Sequence, residues 1–299
     1  MVRASTPFLT STGRVRIGWR LGGFFGVTLL VGGVVGVVSP PGVVGAAFAL
    51  LVGALVAGST LLMLDGQRPG ALGFYIARDS VTESVRGTAL GVLIGMTVVG
   101  GMALLGGMTW EARPGTVVGW LTGAVGALAW FAIPAAAEES LLRGYPLQAL
   151  TEAYGPLIGI GTTSVAFGAL HLGNPGSGVL EVVNVTAAGL LFGVVYVKTL
   201  SLWWVTGMHL GWNWAHGYAA DVSVSGLDVV DAPLYEGMTA GADWLGGGTF
   251  GPEGSVVATC VLLVATLGLW RAGALKPGTA ALDAGSLVRA ETERNERKD

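Results

Sequence analysis

Glu138, Glu139 and Arg143 close one long apolar run (AAAEESLLRG), Phe167 and His171 lie in a second (SVAFGALHLG), and His209 and Asn213 in a third (VTGMHLGWNW). Only three histidines occur in the 299 residues, and two of them stand in these runs. An ionisable group at membrane depth costs several kcal/mol unless it faces a cavity or a partner, so each marks a functional site by default. Carboxylate, imidazole and amide groups converging from three helices would make a buried, water-containing polar site. That set is suited to general acid and base work on a water, the chemistry of a hydrolase.

The spacings say which groups can meet. Glu138 and Glu139 are neighbours, about 100° apart around a helix, and cannot both face one point. Glu139 and Arg143 stand at i and i+4 with the acid first, the favoured order for a helical ion pair. That pairing leaves Glu138 as the carboxylate available for chemistry. Phe167 and His171 share one helix face, so the ring can fix the imidazole. His209 and Asn213 are also i and i+4 and point to one spot. Each pattern alone has an ordinary structural reading: a charged pair at a membrane boundary, an interfacial histidine, an interhelical hydrogen bond. His216 reads as interfacial, and Glu181, Asn184 and Thr186 as the lining of a water path. Trp203, Trp204, Trp212 and Trp214 read as packing and interface anchors.

The elements that must position these groups are membrane helices. Apolar residues make up 52% of the chain and charged residues 12%, about half the charged share of an ordinary soluble domain, and mean hydropathy is +0.66. The expected fold class is all-α, a polytopic membrane helix bundle of about eight transmembrane helices. The expected spans are 21–38, 42–64, 88–108, 117–137, 156–173, 178–197, 200–216 and 255–271, each near the length a bilayer core requires. They divide the chain into an N-terminal cytoplasmic segment 1–20, a membrane domain 21–271 with its motif core at 117–216, and a polar cytoplasmic tail 272–299, disordered from about 276. Residues 66–87 read as an amphipathic helix lying along the cytoplasmic interface. No cleavable signal peptide is expected, because the first apolar run leads into Ser39-Pro40-Pro41.

Of 16 Lys and Arg residues, all but Arg113 fall on one side of this arrangement, which makes that side, with both termini, cytoplasmic. The 217–254 loop carries Asp221, Asp228, Asp231, Glu236, Asp243 and Glu253 but neither Lys nor Arg, as an external loop would. The net charge of -3 gives no reason to expect nucleic acid as a partner. Cys260, the single cysteine, excludes an internal disulfide and a cysteine-based metal site. With spans 4 and 5 turning near Thr151–Pro156, Glu138 some 14 residues before the turn, His171 some 17 after it and His209 11 past Lys198 reach comparable depth. The site is expected inside the membrane, nearer its cytoplasmic half, which requires span 4 to continue as helix past Arg143 toward Leu150.

The ordered triplet Glu138-Glu139-x-x-x-Arg143, Phe167-x-x-x-His171 and His209-x-x-x-Asn213, with Gly144 after the arginine, resembles the signature of the CPBP family, the CAAX-prenyl endopeptidases and bacteriocin-processing and immunity (Abi) proteins. The resemblance covers roughly residues 117–216. It implies an eight-helix intramembrane endopeptidase of the cell membrane, acting on a membrane-associated, prenylated or leader peptide. It further implies that Glu138 activates a water with help from His171, that His209 and Asn213 donate to the oxyanion, and that Glu139, Arg143 and Phe167 support them. No cofactor is then expected. The alternative within the family is a zinc site on Glu138, His171 and His209, for which the spacing is not HExxH and no dedicated acid behind each histidine is evident. Two readings from other classes stay open: a proton-coupled transporter using the same groups, although no inverted repeat is apparent, and a non-catalytic immunity or scaffold protein. Substrate identity and oligomeric state are not legible in the residues.

Overall fold

The computed structural model describes residues 6–10 and 14–289. It is mainly helical, with eleven α-helices among the described residues: α1 Ile17–Val38, α2 Val43–Leu64, α3 Arg78–Leu104, α4 Val117–Glu139, α5 Tyr145–Tyr154, α6 Pro156–Leu170, α7 Val179–Thr199, α8 Leu202–Trp214, α9 Asp243–Gly246, α10 Val256–Arg271 and α11 Thr279–Ala284. Five helical stretches are long and apolar enough to cross a membrane: α1, α2, α3, the run from Val117 to Tyr154, and α7; α6 and α10 are shorter apolar helices. α1 is the least enclosed of the five and α7 the most. Leu29, Leu30, Val34, Val37 and Val38 of α1 are exposed, an apolar surface suited to lipid and far larger than water tolerates.

Helix ends follow local chemistry. The hydroxyls of Thr116, Ser201 and Ser255 accept the N–H of Gly119, Trp204 and Ala258, capping α4, α8 and α10. Helix continues past Arg143 as far as Tyr154, as the site's depth requires: a π-turn, Ser140–Gly144, joins α4 to α5, with Gly144 leaving helical geometry at ψ -121°. The stop comes at Gly155, whose φ of 87° a side chain would oppose, and Pro156 opens α6.

The densest helix crossing sets α8 in place. A Cβ on Gly87 or Gly91 of α3 would come within 2.2 Å of Trp204 O or 2.0 Å of Met208 O. One on Gly207 or Gly211 of α8 would meet Ser84 O at 2.4 Å or Thr88 O at 2.1 Å. Backbone therefore rests on backbone, as small-residue spacing permits in membrane helices. His209 lies between the two α8 glycines. Gly211→Val is expected to push α8 off α3, lowering thermal stability and abolishing activity, whereas Gly26→Val, where a Cβ meets nothing within 4 Å, should do neither. Thermal melts in detergent and peptide cleavage check both.

Three expectations are corrected. Residues 78–87 are the first turns of α3, and 66–77 form a short 3-10 turn (Pro69–Leu72) and loop instead of an interfacial helix. Buried partners hold them inward: Gln148 Nε2 donates to Ala71 O, Tyr196 Oη to Leu72 O, and Ser201 Oγ to Glu83. The tail is packed as far as residue 289, with Ala281, Leu287 and Val288 buried and Leu287 N donating to Gln148 Oε1; residues 290–299 lie outside the described residues, as do Arg3, Arg294, Arg297 and Lys298. Arg143, counted with the cytoplasmic cations, is fully buried within the helical bundle.

One element went unforeseen. β1 Met108–Ala112 pairs antiparallel with β2 Tyr235–Thr239, Met108 opposite Thr239 and Ala112 opposite Tyr235. This ribbon ties the α3–α4 link to the long segment between α8 and α10. At the other end of the bundle, Arg20 of α1 donates to Tyr145 Oη, Glu152 and Asp65, and Lys198 caps α10 through the carbonyls of Leu269, Trp270 and Ala272.

Candidate active site

A cavity of about 90 Å³, room for several waters, lies between α4, α6, α7, α8 and α10. Its walls include Glu138, Phe167, His171, His209 and Asn213, so four of the sequence-derived candidates for chemistry and one supporting residue share one space. Glu139 and Arg143 stand behind that wall and are fully buried.

The two adjacent carboxylates do different things, as the ion-pair spacing required. Arg143 Nη1 meets Glu139 Oε1 at 3.0 Å, while Arg143 Nη2 donates to Gly189 O at 3.1 Å. The guanidinium also sits 4.5 Å over the Phe167 ring and 5.5 Å from that of Phe192. Glu138 makes no such bond. Its Oε2 is buried without a hydrogen-bond partner, although the side chain as a whole is about one-third exposed. Glu138 thus lines the cavity without the ion pair that engages its neighbour.

Both imidazoles have their tautomer set by what lies behind them. His171 Nδ1 is 2.8 Å from Phe167 O; a carbonyl only accepts, so Nδ1 carries the proton and Nε2 presents a lone pair. His209 Nδ1 lies 2.9 Å from Glu139 Oε1, the oxygen that also accepts from Arg143, so Nδ1 again donates. His209 Nε2 then faces Glu138 Oε2 at 3.8 Å. The rings are clamped by aromatics: Phe192 stacks on His209 at 4.9 Å, and Phe167 stands edge-on to His171 at 4.8 Å and to His209 at 5.9 Å. Spacing foresaw Phe167 beside His171; nothing local foresaw Phe192.

Further residues enter the site from the segment before α10. Glu253 lines the cavity, accepting from Trp212 Nε1 and Ser225 Oγ, both at 2.6 Å. In sequence it is one acid among six in an external-looking loop, and only its place directly before the Ser255 cap could have singled it out. Asn184, expected on a water path, does line the cavity, but its amide is taken by the carbonyls of Glu253 and Ser255. Thr186 hydrogen-bonds back to Val182 O; neither it nor Glu181 belongs to the cavity walls. His216 is fully buried and packed 4.4 Å from Trp212, not interfacial as expected. Trp212 is likewise a cavity residue as well as an anchor.

Glu138 lies 16 residues, about 24 Å, from the Tyr154 end of its helix, and His171 15 residues, about 22 Å, beyond Pro156. Asn174, Val224, Ser225, Leu227 and Val229 complete the walls. On the Val117–Tyr154 stretch Glu138 lies near mid-length, 21 residues from Val117 and 16 from Tyr154, and the links that complete the cavity wall come from the end remote from the 154–156 turn. Fourteen to seventeen residues of helix climb well past the middle of a hydrocarbon core about 30 Å thick.

Among the described residues, no group of three or more His, Cys, Asp or Glu side chains is arranged to hold a metal ion. Glu138, His171 and His209 share the cavity.

Residues 118–215 match the family model described as Type II CAAX prenyl endopeptidase Rce1-like. No curated protein matches the chain. The matched stretch holds all three motifs and supports membership of the CPBP family, which implies a membrane protein and a protease.

Proposed function

We propose that this chain, a member of the CPBP family through its motif core, is a metal-free intramembrane endopeptidase. We further propose that it is a multi-pass protein of about eight spans, with both termini cytoplasmic and lipids and a peptide or lipidated-protein substrate as its partners. The observation that carries the catalytic reading is the division of labour between neighbours: Glu139 Oε1 accepts from both Arg143 and His209 behind the wall, while Glu138 is the one of the two that lines the cavity.

Hydrolysis then needs only these side chains and a water. Glu138, assisted by His171 on the wall of the same cavity, takes a proton from water as the water oxygen attacks the peptide carbonyl carbon. The carbonyl oxygen becomes an oxyanion that accepts from Asn213 Nδ2–H and His209 Nε2–H. The second donation requires a proton on His209 Nε2 as well as on Nδ1. Glu138 returns its proton to the amide nitrogen as the C–N bond breaks, leaving a carboxylic acid and an amine, between which the remaining acid proton then passes. Phe167 and Phe192 hold the rings, and Arg143 anchors Glu139 behind His209.

A lost oxyanion donor typically costs 10²–10³ in turnover. Asn213→Ala should therefore lower kcat of purified protein on a cleavable peptide by about that factor, with KM little changed. Chelators should leave the wild-type rate intact. Undiminished kcat in the variant removes the oxyanion assignment, and loss of activity on chelation with recovery on zinc removes the metal-free one.

A further inference from the structure

The two ends of the bundle differ in charge, and the cavity belongs to only one of them. Contacts identify which links share an end. Arg20 with Asp65 and Glu152, Trp203 with Tyr75 O, Lys198 with Ala272 O and Leu287 with Gln148 gather the start of α1, the 65–77 link, the 154–156 turn, the 199–202 turn and the chain after α10. The β1–β2 ribbon and the bond from Asn174 Nδ2 to Ser225 O gather the 105–116, 171–178 and 220–254 links at the other. Basic residues crowd the first end, at the start of α1, the first turns of α3 and the ends of α7 and α10. At the second, Arg113 is the single Lys or Arg, and it is engaged by Asp231 and Glu236.

Every link that contributes to the cavity wall comes from the second end: Asn174 from one, and Val224, Ser225, Leu227, Val229 and Glu253 from another. None of the links at the basic end contributes. Since cytoplasmic links carry the excess of Lys and Arg, water and substrate enter from outside. The chemistry of the wall agrees. A CAAX-type substrate releases a short peptide ending in a free α-carboxylate, yet no Lys or Arg lines the cavity, and two carboxylates, Glu138 and Glu253, do.

Resting on the proteolytic reading above, we infer that the site opens on the non-cytoplasmic face. Its substrate is the outer juxtamembrane segment of an exported or membrane-anchored polypeptide, cut at an internal bond. A prenylated C-terminus, whose lipid is attached at the terminal Cys-a-a-X motif of proteins held at the cytoplasmic leaflet, would have to approach from the end whose links contribute nothing to the cavity wall.

Orientation can be read without any catalysis. In full-length protein carrying Cys260→Ser, single cysteines are placed at Leu227, beside the cavity mouth, and at Arg68. A membrane-impermeant maleimide on intact cells should label the Leu227→Cys protein and should label the Arg68→Cys protein only after permeabilisation; the reverse pattern overturns the inference. In a second arm, cells expressing wild-type or Glu138→Gln protein receive one of two reporters. One is a single-span protein with a short randomised segment at its outer membrane boundary, and the other a cytosolic protein with a farnesylated CAAX terminus. Glu138-dependent cleavage of the first alone supports the inference, and cleavage of the farnesylated reporter refutes its substrate assignment. If neither is cut, the outer-segment assignment fails together with the proteolytic reading, and the labelling pattern alone decides which face the site opens on.

Discussion

Glu138→Gln is expected to reduce kcat/KM by about 10²–10⁴, the range a positioned general base contributes, while leaving the melting temperature within a degree or two of wild type. The amide keeps the shape of the carboxylate but cannot take a proton from water. Stability should hold because Glu138 has no hydrogen-bonded partner to lose: its Oε2 is unbonded, and His209 Nε2 is 3.8 Å away. Initial rates on a cleaved peptide, paired with a thermal melt of the same preparation, test both halves. Retained activity in a folded Glu138→Gln protein would reject Glu138 as the base.

The neighbouring substitution should behave in the opposite sense. Glu139→Ala removes a fully buried carboxylate that accepts from both Arg143 and His209. Arg143 is then a buried cation with only Gly189 O and two aromatic faces for company. Breaking a buried ion pair by deleting one partner costs about 3–5 kcal/mol, so the variant should melt many degrees lower, and His209 should lose the anchor that fixes its tautomer. Activity falls here as a consequence of lost structure. Chemical denaturation in detergent separates the cases: a large loss of unfolding free energy in Glu139→Ala and almost none in Glu138→Gln. Equal stability in the two variants would mean that the carboxylates are not divided as described.

Much of this arrangement was legible before any coordinates. Acid-first i, i+4 spacing named the Glu139–Arg143 pair and left Glu138 over, because helix geometry alone puts those two side chains together. The Phe167–His171 contact followed from the same rule, and helical continuity to Tyr154 from the demand that the three motifs share a depth. Residues on other elements were not legible. Phe192 carries no polar signal, and Glu253 looks like any solvent-facing acid until Trp212 and Ser225 close on it. The β1–β2 ribbon escaped notice because two five-residue strands more than a hundred residues apart leave no periodic trace.

What the sequence by itself determined is what each short stretch can do: which runs are apolar enough for lipid, where the cations lie, and which side chains share a helix face. These are properties of neighbours along one chain, governed by a rise of 1.5 Å and a turn of 3.6 residues. Only the tertiary structure decided that Glu139 reaches across to His209, that Glu138 is left facing the cavity with an unbonded oxygen, and that the site lies away from the basic end. Each depends on how separate helices cross, and at α3 and α8 glycines set that crossing by letting two backbones touch.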